Sequence, residues 1–460
     1  MSDRTQFYME RDRRTREYGA DEERCFERPV VFCVGRDAAE SPRGQLVAMA
    51  AMNMVARFHR QVALLCPHVP LLAPQSLIPA QSPQQHMSLR DALVTLATAI
   101  DPFIRTDLPV PKTTTPGIGI GTDLALQMPW HVGCNDSMVC LDTTPVSVDA
   151  KLGFSLGASL ASCLAAASLC KQVLGRPMVP LSVSAWNLKQ GHDADSGPSE
   201  LGPVDVGSVF MIGAGGVGSS LAYWLRQSGF RGDWQVVDRD LAELHNTNRS
   251  LGLVATDAGW PNQEPRSKVS AAADLMGCTP IPLWFHELDQ ETLRPDLILP
   301  LANERGVRNA ICLRGEPLIL HATTSLTWEA QLHRHIAGRD DCIMCRMPSR
   351  SGAVKLTCST VPLVGKGYPT DAALPFLSAT AAFLVLNGLY RLMAGELCQG
   401  NHNLWRITYN AQNRLVRSAR CHCQIDCVGV LPESVRRKVN AGRRWASLDP
   451  AGGGQENRHS

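Results

Sequence analysis

Ser208-Val209-Phe210-Met211-Ile212 runs straight into Gly213-Ala214-Gly215-Gly216-Val217-Gly218, and after the stretch from Ser219 to Ser228 the chain reads Trp234-Gln235-Val236-Val237-Asp238. A short β-branched run, a glycine turn, a helical stretch and a second apolar run ending in an acid make a strand–helix–strand unit of a parallel sheet. Glycines let backbone N–H groups approach a pyrophosphate, and the first turn of the following helix offers it the positive end of a dipole. Asp238 ends the second run, where a carboxylate accepts from ribose hydroxyls. The pattern predicts a nucleotide site built on Gly213, Gly215, Gly216, Gly218 and Asp238.

Upstream, residues 189–207 are polar and rich in Gly, Pro, Ser and Asp, the composition of a linker. Farther back the same plan recurs without the glycine cluster. Pro29 to Val34 reads as a strand, Gln45 to His59 as a helix with apolar positions at helical spacing, and Gln61 to Cys66 as a second strand. The intervening turn, Gly35 to Pro42, cannot admit a pyrophosphate as the later one can. Long apolar helices near 156–174 and 375–393 occupy corresponding places in the two halves. These observations predict an α/β protein of two doubly wound modules. Residues 1–188 form the degenerate one, 189–207 the linker, 208–428 the nucleotide-binding one and 429–460 a C-terminal tail. Chance similarity of two α/β domains is the competing reading.

The chain has 460 residues, 44% of them hydrophobic, which suffices for more than one buried core and excludes a disordered chain. Lys and Arg total 45 against 43 Asp and Glu, so charge points to neither nucleic acid nor a membrane surface as a partner. The apolar stretches Gly157–Leu174 and Ala372–Tyr390 are long enough to span a bilayer. Their Ala and Ser content, with Lys171, Ser378, Thr380 and Asn387, instead predicts helices buried in a protein core. The opening residues lack the apolar core of a secretory signal, so the 16 cysteines are expected to be reduced in a cytoplasm, some of them on metal.

After Asp238 come Arg239 and Asp240, then Leu244-His245-Asn246-Thr247-Asn248-Arg249, then Arg266-Ser267-Lys268. Hydride transfer has no use for such a cation cluster. A triphosphate attacked at its α-phosphorus does, because charge accumulates on oxygens that Arg and Lys neutralise. With this set the sequence resembles the ubiquitin-activating superfamily, including its bacterial ThiF and MoeB-like members. That family's glycine pattern, aspartate, Asn-x-x-Arg and lysine are matched in order by Gly213, Gly215, Gly216, Gly218, Asp238, Asn246, Arg249 and Lys268, and the resemblance covers about residues 205–428. It implies ATP and magnesium as cofactors, with Arg249 and Lys268 stabilising the transition state.

One position departs from the family pattern. Asn303, in Asp296 to Arg308, stands where the family has a magnesium-holding aspartate. A neutral amide oxygen is a weaker ligand for a hard cation, which predicts weaker metal binding unless Glu304 substitutes.

Cys342 and Cys345 form a Cys-x-x-Cys pair, and Cys421, Cys423 and Cys427 follow far downstream. Two thiolates from each group make a closed tetrahedral zinc site. Spacing favours Cys423 with Cys427, with Cys421 left open; buried free thiols are the alternative. The family carries a structural zinc in similar places. Cys358, beyond the pair and before the long helix, matches the place where thioester-forming members can carry their nucleophile, with Cys312 a distant second. Lys355 favours its thiolate.

The resemblance therefore implies an activating enzyme for a ubiquitin-like protein, which adenylates that protein's C-terminus, forms a thioester on Cys358 and passes it to a conjugating protein. Fold-level analogy extends this to bacterial antiphage conjugation systems of the Bil type. The rivals are an activator of a sulfur-carrier protein in thiamine or molybdopterin synthesis, and a nucleotide-binding scaffold without catalysis. In the family an arginine from the partner module commonly reaches the ATP site, a role open to Arg11, Arg13, Arg14 or Arg16; a solvated charged arm is the other reading of that stretch.

Overall fold

Val30–Val34 (β1) and Asp205–Ile212 (β7) hold the same place in two sheets of one topology. A computed structural model describes residues 2–13, 25–72, 77, 87–109, 115–191, 197–198, 201–289, 293–325, 327–346, 374–410, 416–423, 427 and 429–449. The first sheet also contains β2 (Val62–Leu65), β3 (Gly117–Ile120), β4 (His131–Cys134), β5 (Met138–Asp142) and β6 (Leu181–Ser184). Its order is β2-β1-β3-β4-β5-β6, parallel as far as β4 and antiparallel beyond. The second contains β8 (Arg231–Val237), β9 (Thr279–Ile281), β10 (Leu297–Pro300), β11 (Leu318–Thr324), β12 (Glu329–Ile336), β13 (Leu404–Thr408) and β14 (Val416–Ala419). It runs β9-β8-β7-β10-β11-β12-β13-β14, parallel from β9 to β11 and antiparallel thereafter. Removing the two edge strands β9 and β14 leaves the order of the first sheet.

The helices are α1 (Asp3–Arg11), α2 (Arg36–Ala39), α3 (Pro42–Val55), α4 (Leu89–Ile100), α5 (Leu156–Val173), α6 (Gly216–Ser228), α7 (Lys268–Met276), α8 (Arg305–Leu313), α9 (Ile343–Arg346), α10 (Pro375–Met393) and α11 (Glu433–Asn440). The sequence places the start of α3 with Ser41, whose hydroxyl accepts from Gly44 N at 3.2 Å, and Pro42 in the first turn. The last glycine of the later module's turn has a counterpart in the first. A Cβ on Gly44 would sit 2.0 Å from Ala38 O, and one on Gly218 2.0 Å from Gly213 O, so both helices pack directly on the turn before them.

Helices α5 and α10 are long and apolar enough to cross a membrane, yet 89% of the most apolar 18-residue stretch of each is buried. They pack against each other across the modules, α5 also against α3 and α10 against α6, within one apolar cluster drawn from both halves. That explains why they are apolar on nearly every side. β7 already begins at Asp205, inside the polar stretch expected to link the modules. After the last strand, α11 is tied back by Asn440 Nδ2 to Gly315 O at 3.0 Å and by Arg436 Nε to Asp449 at 2.8 Å.

Candidate functional site

Gly213 directly follows β7 with φ +100°, and a Cβ there would meet the backbone N of Ala302 at 2.6 Å. Only glycine fits this turn. The crowding has a purpose: Leu301 N and Ala302 N both donate to Ile212 O at 2.8 Å, which folds the end of β10 onto the glycine turn and brings Asn303 beside it. Asn303 is half-buried and Glu304 exposed, with no side-chain cap on α8. Gly215 caps α6 without a side-chain hydrogen bond, and the space its missing Cβ would enter is open.

Asp238 closes the turn from the neighbouring strand. Its carboxylate accepts from Ala214 N at 2.8 Å and from Asp240 N at 2.9 Å. Burial raises its pKa, and the nearby Lys268 ammonium opposes the rise. Lys268, at the start of α7 and 8% exposed, pairs through Nζ with Asp240 Oδ2 at 2.7 Å. Asn246 shapes its own turn: its Oδ1 accepts from Glu243 N at 3.0 Å, and its Nδ2 faces His245 Nε2 at 3.3 Å. Arg249, buried, donates from Nη1 to His245 O at 3.0 Å. A Cβ on Gly216 would come within 3.4 Å of the Arg249 stem and 2.8 Å of Ser378 Oγ on α10. Asp238 is thus bonded to the glycine turn, Arg249 lies against Gly216 and the Lys268 ammonium is near Asp238, all at the C-terminal ends of parallel strands, the ligand position of open α/β sheets.

The sequence profile described as the ThiF family matches residues 204–427. This stretch of the chain is therefore similar to the ThiF family. Over 199 residues the chain is 27% identical to the adenylyltransferase and sulfurtransferase MOCS3 of Dictyostelium discoideum, covering 41% of this chain and 45% of that protein's length. The chain thus spans less than half of that relative. Among solved structures, Escherichia coli MccB with ATP is 16% identical, with 48% of this chain and 65% of that chain covered and a TM-score of 0.36. Selenomethionine PaaA is 18% identical over 46% and 64%, with a TM-score of 0.32.

The ThiF domain also gathers Cys342, Cys345, Cys423 and Cys427, whose sulfurs all lie within 4.8 Å of one another. A tetrahedral zinc with Zn–S near 2.3 Å needs sulfurs about 3.8 Å apart, so this donor set fits. Backbone N–H groups aim the sulfurs: Cys342 N donates to Cys423 Sγ at 3.1 Å, Cys345 N to Cys342 Sγ at 3.4 Å and Gly429 N to Cys427 Sγ at 3.3 Å. Cys421, left open by spacing, is outside this group, its N–H held by Asn403 Oδ1 at 2.9 Å. Cys312, buried, donates its thiol to Gly429 O at 3.0 Å beside the cluster.

Cys358, Lys355, Arg14 and Arg16 lie outside the described residues. Arg11 is described, and it is fully buried in a network of its own module: Nη1 meets Asp101 Oδ2 at 2.7 Å and Nε meets Asp12 Oδ1 at 2.8 Å. It anchors α1 and is not directed at the nucleotide turn. Arg13 is exposed, 3.9 Å from Glu243.

Sequence reasoning passed over His321, His333 and His335, which share one face of β11 and β12. Their ring centroids are 5.4 to 6.2 Å apart, and all three are buried. Burial holds the pKa of His321 and His333 well below the ordinary value, with Arg308 and Arg346 adding to it, so both rings are neutral. The His-x-His alternation in β12 was the available signal.

Proposed function

We propose that this chain is an ATP-dependent activating enzyme for a small ubiquitin-like protein. The observation that carries the reading is the open turn Gly213–Gly218 with Asp238 bonded to it, Arg249 against Gly216 and Lys268 near Asp238. In the first step the C-terminal carboxylate of the small protein attacks the α-phosphorus of ATP. A C(O)O–P bond forms and the bond to the β-phosphate breaks, releasing pyrophosphate. Asp238 holds the ribose, the glycine turn the phosphates, and Arg249 and Lys268 the charge that develops. Asn303, with Glu304 next to it, is the place for magnesium. In the second step the thiolate of Cys358 attacks the acyl carbon, a C–S bond forms and AMP leaves; the thiol proton passes to water. A conjugating protein accepts the thioester. Zinc on Cys342, Cys345, Cys423 and Cys427 ties β14 and its sequel to the turn after β12 and takes no part in the chemistry.

In this reading residues 1–188 are an inactive partner fused to the active module 208–428 through 189–207, with 429–460 as the tail. A cytoplasmic antiphage conjugation pathway of the Bil type is its biological extension, supported by fold-level analogy. A second reading, adenylation of a sulfur-carrier protein without a thioester, draws on the 27% identity to an adenylyltransferase and sulfurtransferase. ATP–pyrophosphate exchange in the presence of the small protein, followed by electrophoresis without reductant, separates the two. Exchange with a reductant-sensitive adduct supports the first, and exchange without an adduct the second.

A further inference from the structure

Among the buried contacts between the two modules, one is built on a guanidinium of the first. Asn53 lies on α3 and Arg57 just past its end, both fully buried. Arg57 Nη1 donates to Thr247 O and, at 3.0 Å, to Leu253 O, while Nη2 donates to Leu251 O at 2.9 Å. The same guanidinium gives Nε and Nη2 to Asn53 Oδ1 at 3.0 and 2.6 Å, and Asn53 Nδ2 donates to Leu251 O at 3.2 Å. Among the described residues no carboxylate lies within ion-pair distance of Arg57. Burying a guanidinium against carbonyls alone gives up hydration without the return of an ion pair. Its planar fork fixes three carbonyls at once, which no apolar filler does.

Those carbonyls lie in one loop on both sides of Arg249, Thr247 before it and Leu251 and Leu253 after it. Gly252 N donates to Ser219 Oγ of α6 at 3.0 Å, so the loop is gripped by its own module on one side and by the first module on the other. Between the grips, Arg249 lies against Gly216. We propose that Arg57 and Asn53 are positioning residues: from the module without a glycine cluster they hold residues 247–253 so that Arg249 faces the phosphates on the glycine turn. The proposal rests on the adenylation reading and gives the first module a task within it.

The test uses the full-length chain, with ATP–pyrophosphate exchange read per folded molecule alongside amide hydrogen exchange of residues 246–253. In Arg57→Met, kcat for exchange should fall at least tenfold with KM for ATP changed less than threefold, because a displaced Arg249 is missed mainly in the transition state. Amides of 246–253 should exchange faster while those of β7 and β10 do not, and Arg57→Lys should recover part of kcat. A purely structural role predicts a lower melting temperature with unchanged kcat per folded molecule, and that result overturns the proposal. If Arg57→Met does not fold, Asn53→Ala is read the same way with a threefold fall in kcat as the threshold. Wild-type protein that binds no ATP and shows no exchange overturns the adenylation reading itself. Faster amide exchange in the variant would then leave the clamp as a purely structural contact.

Discussion

The carboxylate of Asp37 receives the backbone N–H of Thr122 on both oxygens, at 3.0 and 2.9 Å, together with Thr122 Oγ1 at 2.9 Å and Asp123 N at 3.1 Å. Thr122 and Asp123 follow β3 as Ala302 and Asn303 follow β10. The chain's own negative charge therefore lies at the turn that in the ThiF domain is open in front of Gly215. The first module lacks more than glycines: its turn carries a carboxylate that would repel a phosphate.

Asp37→Asn should lower the stability of the protein by about 1 kcal/mol at neutral pH, the usual worth of a lost hydrogen bond. Burial pushes the Asp37 carboxyl up, but the bonds from Thr122 and Asp123 outweigh it and hold it below the usual carboxylate range. A folded value below the unfolded one, near 3.9, means the contribution is complete above that pH and is lost as pH falls through the folded value. Denaturant unfolding at pH 7 and pH 3 should show the gap between wild type and variant closing at the lower pH. A gap that is the same at both would mean the hydrogen-bonded charge is not its source.

His59 should make the protein acid-sensitive. Its ring is fully buried, neither nitrogen has a hydrogen-bond partner among the described residues, and burial pushes its pKa down to about 3. The unfolded chain takes up the proton near pH 6.5 and the folded one does not. Stability is therefore complete above that value and is lost as pH falls from about 6.5 toward 3, at up to roughly 1.4 kcal/mol per pH unit. His59→Leu should flatten this slope between pH 6.5 and 4.5 in chemical denaturation. Parallel slopes for the two proteins would refute the assignment.

The parts of this fold that were legible in the sequence are those written locally. The strand–turn–helix–strand unit around Gly213 and its echo from Pro29 to Cys66 follow from periodicity and turn residues, with α3 ending at Val55 sooner than its apolar pattern suggested. The burial of α5 and α10 was anticipated from their Ala, Ser, Thr and Asn content, while their packing across the modules decides it, since length and hydropathy fit a membrane span as well. What was not legible depends on partners distant in sequence. The grip of Arg57 on Thr247, Leu251 and Leu253 has no local signature, and the plug at Asp37 depends on Thr122. The choice of Cys423 and Cys427 over Cys421 followed from spacing only as a preference, since the path of the chain around Asn403 decides which sulfur turns inward.

Lys268→Ala should abolish ATP–pyrophosphate exchange and leave the fold intact. The ammonium is nearly buried but reaches Asp240, whose side chain is half exposed, so its loss strands no deeply buried charge. Circular dichroism and exchange measured on one preparation check both halves of the expectation. A variant that keeps wild-type exchange would remove Lys268 from the site.

Freshly purified protein should carry about one zinc per chain, and Cys345→Ser should lose it. Metal affinity is coupled to folding, so the ThiF domain of that variant should melt earlier and become protease-sensitive near β14, whose end the cluster fixes. Cys421→Ser should keep its zinc, because that sulfur lies outside the group. Metal analysis of the three proteins decides the ligand set, and equal zinc in wild type and Cys345→Ser would exclude it.

On the proposed reading, Cys358→Ser should separate two half-reactions. Adenylation needs only the phosphate site around Gly213, Asp238, Arg249 and Lys268, so pyrophosphate exchange should stay near wild type. The second step needs a thiolate, and a serine hydroxyl at neutral pH is a far poorer nucleophile. The reductant-sensitive adduct with the small protein should therefore vanish or give way to a reductant-resistant ester. Cys312→Ser is the control. That thiol is buried and committed to Gly429 O beside the cysteine cluster, so its removal should leave the adduct in place. An adduct that persists in Cys358→Ser and disappears in Cys312→Ser would reassign the nucleophile. Exchange with no adduct in any of the three proteins would instead favour transfer of the adenylate to sulfur.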